Sequence, residues 1–492
     1  MDQRILLVEP KIRTSYPPLG LMKIATYHRL KGDSVHFVVG KDVKRRDEKW
    51  DKIYITSVFT YDFNGLVDTI KFYRGNFFNM DKLCVGGISA TLLASKLEAE
   101  TGVVPHKGLL DEDDDFLISE AKKNEDLRYL FECKSASIDN LPPDYSIFGP
   151  EELKRYSKVV DNAFLFFSTK GCPNKCGFCV VRKLEPLYVD YIPIKPRIEY
   201  MRKHFGDRAG LLLLDNNIAA STSYFRIIDE IKDCGFAKDE KLVYLNSGRP
   251  VKRNRFVDFN QGVDLRLMDE AKMKKMAEIA IKPLRLAFDS IELEKEYEKK
   301  MRMAIYFGIK DLSNYMLFNF NDSPDDLYRR FQVNMRILKD HPDVKIFSFP
   351  MRYSPIESTD RKFIGKHWSK REVRAIQIIL NATHGIVSHK NKFFNRAFGY
   401  SPECFRKVLL YPYHYLINRN IYEYNNLLIQ QWEHDYSVLS AGEKKEFFDI
   451  VKGGVLTTLP ATNNMKISCL LEHYDHEHAN ILQCEAYNDT RF

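Results

Sequence analysis

Short apolar runs alternate with segments of helical period along most of the chain. Ile5–Val8, Ser34–Val39, Lys52–Ser57 and Leu83–Val85 have the length and apolar content of short buried strands. Between the first two, Leu19–Leu30 places Leu21, Ile24, Ala25 and His28 at helical spacing. Strand–helix alternation predicts a parallel sheet with right-handed crossovers over residues 1–150. The run Cys84-Val-Gly-Gly-Ile-Ser sets two glycines between a strand and a helix, a turn that lets a ligand approach a helix N-terminus, although most such turns are simply tight connections.

Residues 158–360 repeat the strand-then-helix unit six times. The strands begin at Phe164, Gly210, Phe256, Leu284, Tyr315 and Val344, and each ends in polar residues. Parallel barrels carry their chemistry at the C-terminal ends of their strands. Here those ends hold cysteine, Asp215-Asn216-Asn217, Gln261 with Asp264 and Arg266, Asp289, Asn321 and Arg352. Residues 361–492 change character. Ser369–Ala382 reads as an amphipathic helix with Val373, Ile376, Ile379 and Leu380 inward, and further helices carry Phe393, Phe394, Phe398, Leu409 and Leu410. A helical C-terminal domain is expected there.

Composition narrows the class. Of 492 residues, 44% are hydrophobic and 29% charged, ordinary for a globular chain of several domains. No apolar run is long enough to span a bilayer, and the N-terminus enters a strand rather than a secretory signal, so a cytoplasmic protein without a membrane partner is expected. Nine cysteines in so long a chain do not make a disulfide framework, which fits a reducing compartment. The net charge of +8 permits an anionic or nucleic-acid partner without requiring one. The basic clusters Lys41–Lys49 and Arg249–Arg255 read as solvated faces or loops, and so does the acidic run Asp111–Asp115. The charged run from His473 to His478 reads as a solvated terminus rather than a metal site.

Three cysteines, Cys172, Cys176 and Cys179, follow the strand at Phe164 in the spacing C-x3-C-x2-C, on a loop loosened by Gly171, Pro173 and Gly177. Thiolates are the usual ligands of iron–sulfur clusters, and a set of three leaves one metal position open for chemistry. The competing reading is a zinc–cysteine site in a non-enzymatic metal sensor or nucleic-acid-binding protein. Zinc wants a fourth ligand at knuckle spacing, and the next candidate is the distant His204.

The motif, with Phe178 before its third cysteine, resembles the radical S-adenosylmethionine (radical SAM) superfamily. That resemblance implies a [4Fe–4S] cluster on Cys172, Cys176 and Cys179, with S-adenosylmethionine on the fourth iron. It implies reductive cleavage to a 5′-deoxyadenosyl radical that takes a hydrogen atom from substrate, and a one-electron donor of flavodoxin or ferredoxin type. The central segment is similar to the superfamily's six-stranded partial (β/α) barrel. The pieces Tyr16-Pro-Pro-Leu-Gly-Leu, Gly86-Gly-Ile-Ser-Ala-Thr-Leu-Leu and Pro142-Pro-Asp-Tyr-Ser-Ile-Phe resemble the cobalamin-binding-type, Rossmann-like domain that precedes many such barrels. The expected fold is therefore α/β: a Rossmann-like domain at 1–150, a partial barrel at 158–360 and a helical domain at 361–492. Cobalamin is possible but not favoured. The family's histidine motif D-x-H-x-x-G is absent, and Tyr16-Pro17-Pro18 crowds the loop where the cofactor's lower face would need room. For S-adenosylmethionine, Asp215, Asn216 and Asn217 are the expected partners of its amine and carboxylate end. Gln261, Asp264 and Arg266 offer ribose and carboxylate contacts. The competing roles are an Asx turn at Asp215 and an Arg266 salt bridge. A methylation or a rearrangement is a plausible outcome if cobalamin is bound; the substrate is unknown.

Overall fold

The computed structural model describes residues 2–12, 14–75, 82–383, 385–387, 390–425, 427–475, 477 and 479–480. His384, His476, His478 and Cys484 lie outside the described residues. The fold is mixed α/β with parallel sheets and many helices, and it divides into two compact units. The first holds residues 1–286, 303–311 and 355–361; the second holds 287–302, 312–354 and 362–492.

In the first unit, β1 (Arg4–Glu9), β2 (Ser34–Val39), β3 (Lys52–Ile55) and β4 (Leu83–Val85) form a sheet in the order β2-β1-β3-β4. The β1–β2, β1–β3 and β3–β4 pairings are parallel, with Ile5 opposite Val35 and Lys52. Ile5, Leu6, Leu7 and Val8 are wholly buried, as expected for a central strand covered on both faces. The helix at Leu19–Leu30 has the predicted limits. His28 on that helix is not a spare metal ligand. Its Nδ1 meets Asp33 Oδ2 at 2.6 Å and its Nε2 meets the Tyr54 hydroxyl at 3.0 Å, so both ring nitrogens are occupied.

The strand order reverses between β1 and β3, the place where open α/β sheets bind ligands. There Pro10, Ser57 and Leu66 line a cavity of only about 10 Å³. Gly87, at φ +99°, packs so tightly that a Cβ would stand 2.3 Å from the Ser57 carbonyl oxygen. The acidic run is a largely exposed loop, as expected, that ends at a helix start. Asp114 caps the helix Asp115–Lys123 through the Leu117 N–H at 3.0 Å and accepts from the Tyr27 hydroxyl, because a helix N-terminus leaves donors that a carboxylate satisfies.

A second parallel sheet takes β5 (Ala163–Phe166), β6 (Gly210–Leu213) and β9 (Phe256–Phe259), in that order. The basic cluster at Arg249–Arg255 is half of a hairpin that the hydrophobic pattern does not announce. Its strands are β7 (Lys241–Asn246) and β8 (Arg249–Asn254), antiparallel, with a two-residue Ser247-Gly248 turn. Both turn residues have positive φ (50° and 77°), the hairpin turn that suits strand twist. Val243 and Leu245 are exposed at 56% and 74%, so no apolar face is buried to give period-two alternation.

A three-stranded sheet has the order β10 (Leu284–Ala287), β11 (Asp311–Phe318) and β12 (Lys345–Arg352), and the division into units falls at the end of β10. In the second unit Arg330 is wholly buried. It donates to the carbonyls of Phe288 (3.0 Å) and Leu317 (2.8 Å) and to Asp322 Oδ2 (2.7 Å). The helix Lys370–Ala382 starts at a capping box of Ser369 and Glu372 and buries Val373, Ile376, Ile379 and Leu380 as its spacing predicts. The charged run near the end is not simply a solvated terminus. Glu477 is fully buried and pairs with the equally buried Arg371 at 2.8 Å, since a guanidinium without water needs a carboxylate. Among the described residues no helix is long and apolar enough to cross a membrane.

Candidate cluster-binding site

The cysteine loop begins where β5 ends, and that end is clamped by the neighbouring strand. Asp215, just after β6, has no exposed surface and accepts the Ser168 N–H (3.0 Å), the Ser168 hydroxyl (2.7 Å), the Thr169 N–H (2.5 Å) and the Thr169 hydroxyl (2.7 Å). Burial pushes its carboxyl above the ordinary range, and these donors pull it back in part. Two backbone hydrogen bonds then pair Lys170 with Val189. The Lys170 and Lys23 ammonium groups are both buried and both meet Asp139. Burial lowers both lysines, Lys23 to about 7, and their mutual repulsion lowers Lys170 further. Gly171, at φ +72°, donates to Glu185 Oε2 at 2.6 Å, and a Cβ there would stand 2.4 Å from the Leu187 carbonyl oxygen. Only glycine combines that conformation with that approach.

Beyond Gly171 the loop opens. Cys172, Cys176 and Cys179 are partly exposed and form no disulfide. A turn joins the last two, the Cys179 N–H donating to the Cys176 carbonyl at 3.1 Å. Two residues from other strand ends address the sulfurs. The Asn217 side-chain amide donates to the Cys172 sulfur at 3.5 Å. Arg266 lies in hydrogen-bonding contact with Cys176, while its guanidinium forks onto Asp264 with two contacts of 2.8 Å. Asp264, which also accepts from Asn174 at 2.7 Å, is raised by burial, but Arg266 and Asn174 outweigh that and hold it below the usual carboxylate range. Asp264 holds Arg266 above its usual value, with Cys176 adding to the effect.

These contacts sort the residues expected to meet S-adenosylmethionine. Asp215 spends its oxygens on the β5 end and acts as a brace. Asn216 donates to Glu185 at 2.7 Å. Arg266 has the salt bridge that competes with ligand binding, and Gln261 is exposed beside the β9 end. Phe178 is half-buried in the loop. Asn217 is different. It is 1% exposed, and its Oδ1 is a buried acceptor without a hydrogen-bond partner. An orphaned acceptor beside Cys172 is what an ammonium donor would satisfy. Spacing alone missed Asn174, Glu185 and Lys170. Their partners lie from 14 to 90 residues away along the chain, so no local pattern marks them.

The loop suits a cluster better than a single ion. Among the described residues no group of three or more histidine, cysteine, aspartate or glutamate side chains closes on one metal position. Zinc needs its ligands convergent at about 2.0–2.3 Å, whereas a cubane takes each thiolate on a different iron. Hydrogen-bond donors aimed at two of the sulfurs match ligands that carry negative charge. At the other candidate cofactor position, the switch point between β1 and β3, the described residues enclose a cavity of about 10 Å³. Tyr16, from the loop after β1, accepts from Asn260 at 2.8 Å at the end of β9.

No protein-family model matches the chain, and no curated protein does. Solved structures do. One is TsrM from Kitasatospora setae, a radical S-adenosylmethionine methyltransferase solved with cobalamin and a [4Fe–4S] cluster. It is 13% identical over 73% of this chain and 77% of that one, with a TM-score of 0.48. Another is SuiB from Streptococcus suis, solved with S-adenosylmethionine, at 13% identity over 58% of this chain and 64% of that one, with a TM-score of 0.30.

Proposed function

We propose that the chain is a radical SAM enzyme that holds a [4Fe–4S] cluster on Cys172, Cys176 and Cys179. The observation that carries this reading is the loop itself. It gathers three partly exposed cysteines outside any disulfide, it is fixed at its root by Asp215 and Gly171, and Asn217 and Arg266 aim donors at its sulfurs. When bound, the cluster and S-adenosylmethionine supply one-electron reductive cleavage and, through it, hydrogen-atom abstraction from a substrate.

The chain's own residues bind and orient. Asn217 Oδ1 is positioned to accept from the amino group of S-adenosylmethionine, while the same side chain's amide steadies Cys172. Asp264 keeps Arg266 in place against Cys176. The reading expects β5, β6, β9, β10, β11 and β12 to act as a partial barrel, and the bridges from Val257 to Ile281 and from Val263 to Leu286 support that continuity. It also expects the three-part division at 1–150, 158–360 and 361–492, a reducing cytoplasm and a flavodoxin- or ferredoxin-type donor. The substrate class stays unassigned, and cobalamin has no part in the proposal.

Anaerobic reconstitution with iron and sulfide tests it. The protein should take up four irons per chain if the ligand set is that of a [4Fe–4S] cluster. It should absorb broadly at the blue end of the visible, bleach with dithionite, and release 5′-deoxyadenosine from S-adenosylmethionine. A colourless protein with stoichiometric zinc and no 5′-deoxyadenosine would refute the proposal.

A further inference from the structure

The second unit contains a cavity of about 490 Å³, within the range of small-molecule sites. Its walls combine the apolar Ile379, Phe393, Ala397, Leu416 and Ile421 with the polar Thr383, Asn418 and Asn420. Two guanidinium groups, Arg396 and Arg419, also line it. They share one carboxylate: Glu423 Oε2 stands 3.2 Å from Arg396 Nε and 3.8 Å from Arg419 Nε. Glu433, the next acid to act on Arg419, is engaged elsewhere, by the Tyr411 hydroxyl at 2.6 Å and Lys407 at 3.4 Å. The lining therefore carries one positive charge more than it balances.

Arg419 bears most of that excess. Its side chain is only 19% exposed, and burial lowers it from the usual guanidinium value. Its Nε has no hydrogen-bond partner, and its Nη1 makes only a long contact of 3.4 Å to the Ala397 carbonyl. A buried guanidinium with donors unspent costs stability unless an acceptor arrives. The segment that follows it, Ile421–Asn425, is a turn of π-helix, a form that recurs at functional sites.

We propose that this cavity binds a small amphipathic carboxylate, its oxygens on Arg419 and Arg396 and its apolar body against Phe393, Leu416 and Ile421. The guanidinium fork matches a carboxylate's two oxygens, and the apolar part of the lining matches a hydrocarbon body. The inference stands apart from the cluster site, since every lining residue belongs to the second unit.

The test uses the full-length protein and 8-anilinonaphthalene-1-sulfonate, an apolar body with one anionic head, as the fluorescent probe. Saturable blue-shifted fluorescence should appear, and octanoate but not octanol should displace it. Arg419→Leu should weaken probe and octanoate binding roughly tenfold to a hundredfold, the loss of a charge-assisted contact. Phe393→Asp, at a position 36% exposed, places a negative charge on the wall and should weaken binding similarly. It decides the matter if circular dichroism shows that Arg419→Leu does not fold. The absence of saturable binding, equal displacement by octanol, or unchanged affinity in the folded variants overturns the proposal.

Discussion

The Asn217 side-chain amide donates to the Cys172 sulfur at 3.5 Å, while the Oδ1 of the same side chain is buried without a partner. One residue thus joins the Cys172 sulfur, the proposed cluster ligand, to a buried acceptor without a partner. Asn217→Leu should keep the iron content and change two other quantities. Losing a donor to a cluster sulfur removes stabilisation of the more negative, reduced state. The reduction potential should fall by ~20–65 mV, the one-electron equivalent of a net hydrogen bond of ~0.5–1.5 kcal/mol. Affinity for S-adenosylmethionine should fall roughly tenfold or more. An electron-paramagnetic-resonance redox titration with equilibrium binding reads both, and unchanged values would remove Asn217 from the site.

Cys172→Ala, Cys176→Ala and Cys179→Ala should each prevent cluster assembly. Among the described residues no other cysteine, histidine or acid completes a metal group with them. Iron and sulfide analysis after anaerobic reconstitution checks this. A single variant with full iron content would show that the ligand set is wrong.

Asp215 should matter for the architecture of the loop before it matters for any ligand. Asp215→Ala strands two buried backbone N–H groups and two hydroxyls. Each buried unsatisfied donor costs ~1–3 kcal/mol, so destabilisation of about 3 kcal/mol or more is expected in urea unfolding. Iron uptake should fall with it. Wild-type stability together with wild-type iron content would contradict the bracing role.

In the second unit, the buried Arg371–Glu477 pair should tolerate no half-removal. Arg371 also donates to the carbonyls of Val451 (3.0 Å) and Gly454 (2.6 Å), while Glu477 accepts the N–H groups of Tyr413 (2.9 Å) and Leu456 (3.1 Å). Glu477→Gln leaves a buried guanidinium without its charge partner and should cost ~3–5 kcal/mol. A loss below 1 kcal/mol by chemical denaturation, on the scale of an exposed pair, would show that the pair is solvated.

His414 makes the second unit sensitive to acid. It is 4% exposed, its Nδ1 lacks a hydrogen-bond partner, and burial lowers it to about 4 from an ordinary value near 6.5. Between those values the unfolded chain binds a proton that the folded chain refuses, so stability falls as pH drops from about 6.5 to about 4. The contribution is about 3 kcal/mol. His414→Phe should flatten that part of the profile of melting temperature against pH. An equally steep profile in the variant would assign the acid sensitivity to other groups.

The sequence by itself determined the elements that depend on near neighbours in the chain. The strand at Ile5–Val8 is legible because burial on both faces writes a continuous apolar run, and the helix at Leu19–Leu30 because helical burial writes a 3.6-residue period. The C-x3-C-x2-C loop is legible because a metal centre needs its ligands close together, and closeness in the chain is the cheapest way to get it. The hairpin Lys241–Asn254 escaped because both of its faces meet solvent and neither writes a period.

Only the tertiary structure decided what each polar strand end does. Asp215, Asn216 and Asn217 are consecutive and chemically alike, yet one braces Ser168 and Thr169, one holds Glu185 and one faces Cys172. Successive side chains leave an extended segment in different directions, so three adjacent residues meet three different environments. Likewise, the pairing of Arg371 with Glu477, 106 residues away, is a consequence of packing. A buried charge takes whichever opposite charge the fold brings to it, and sequence distance carries no record of that choice.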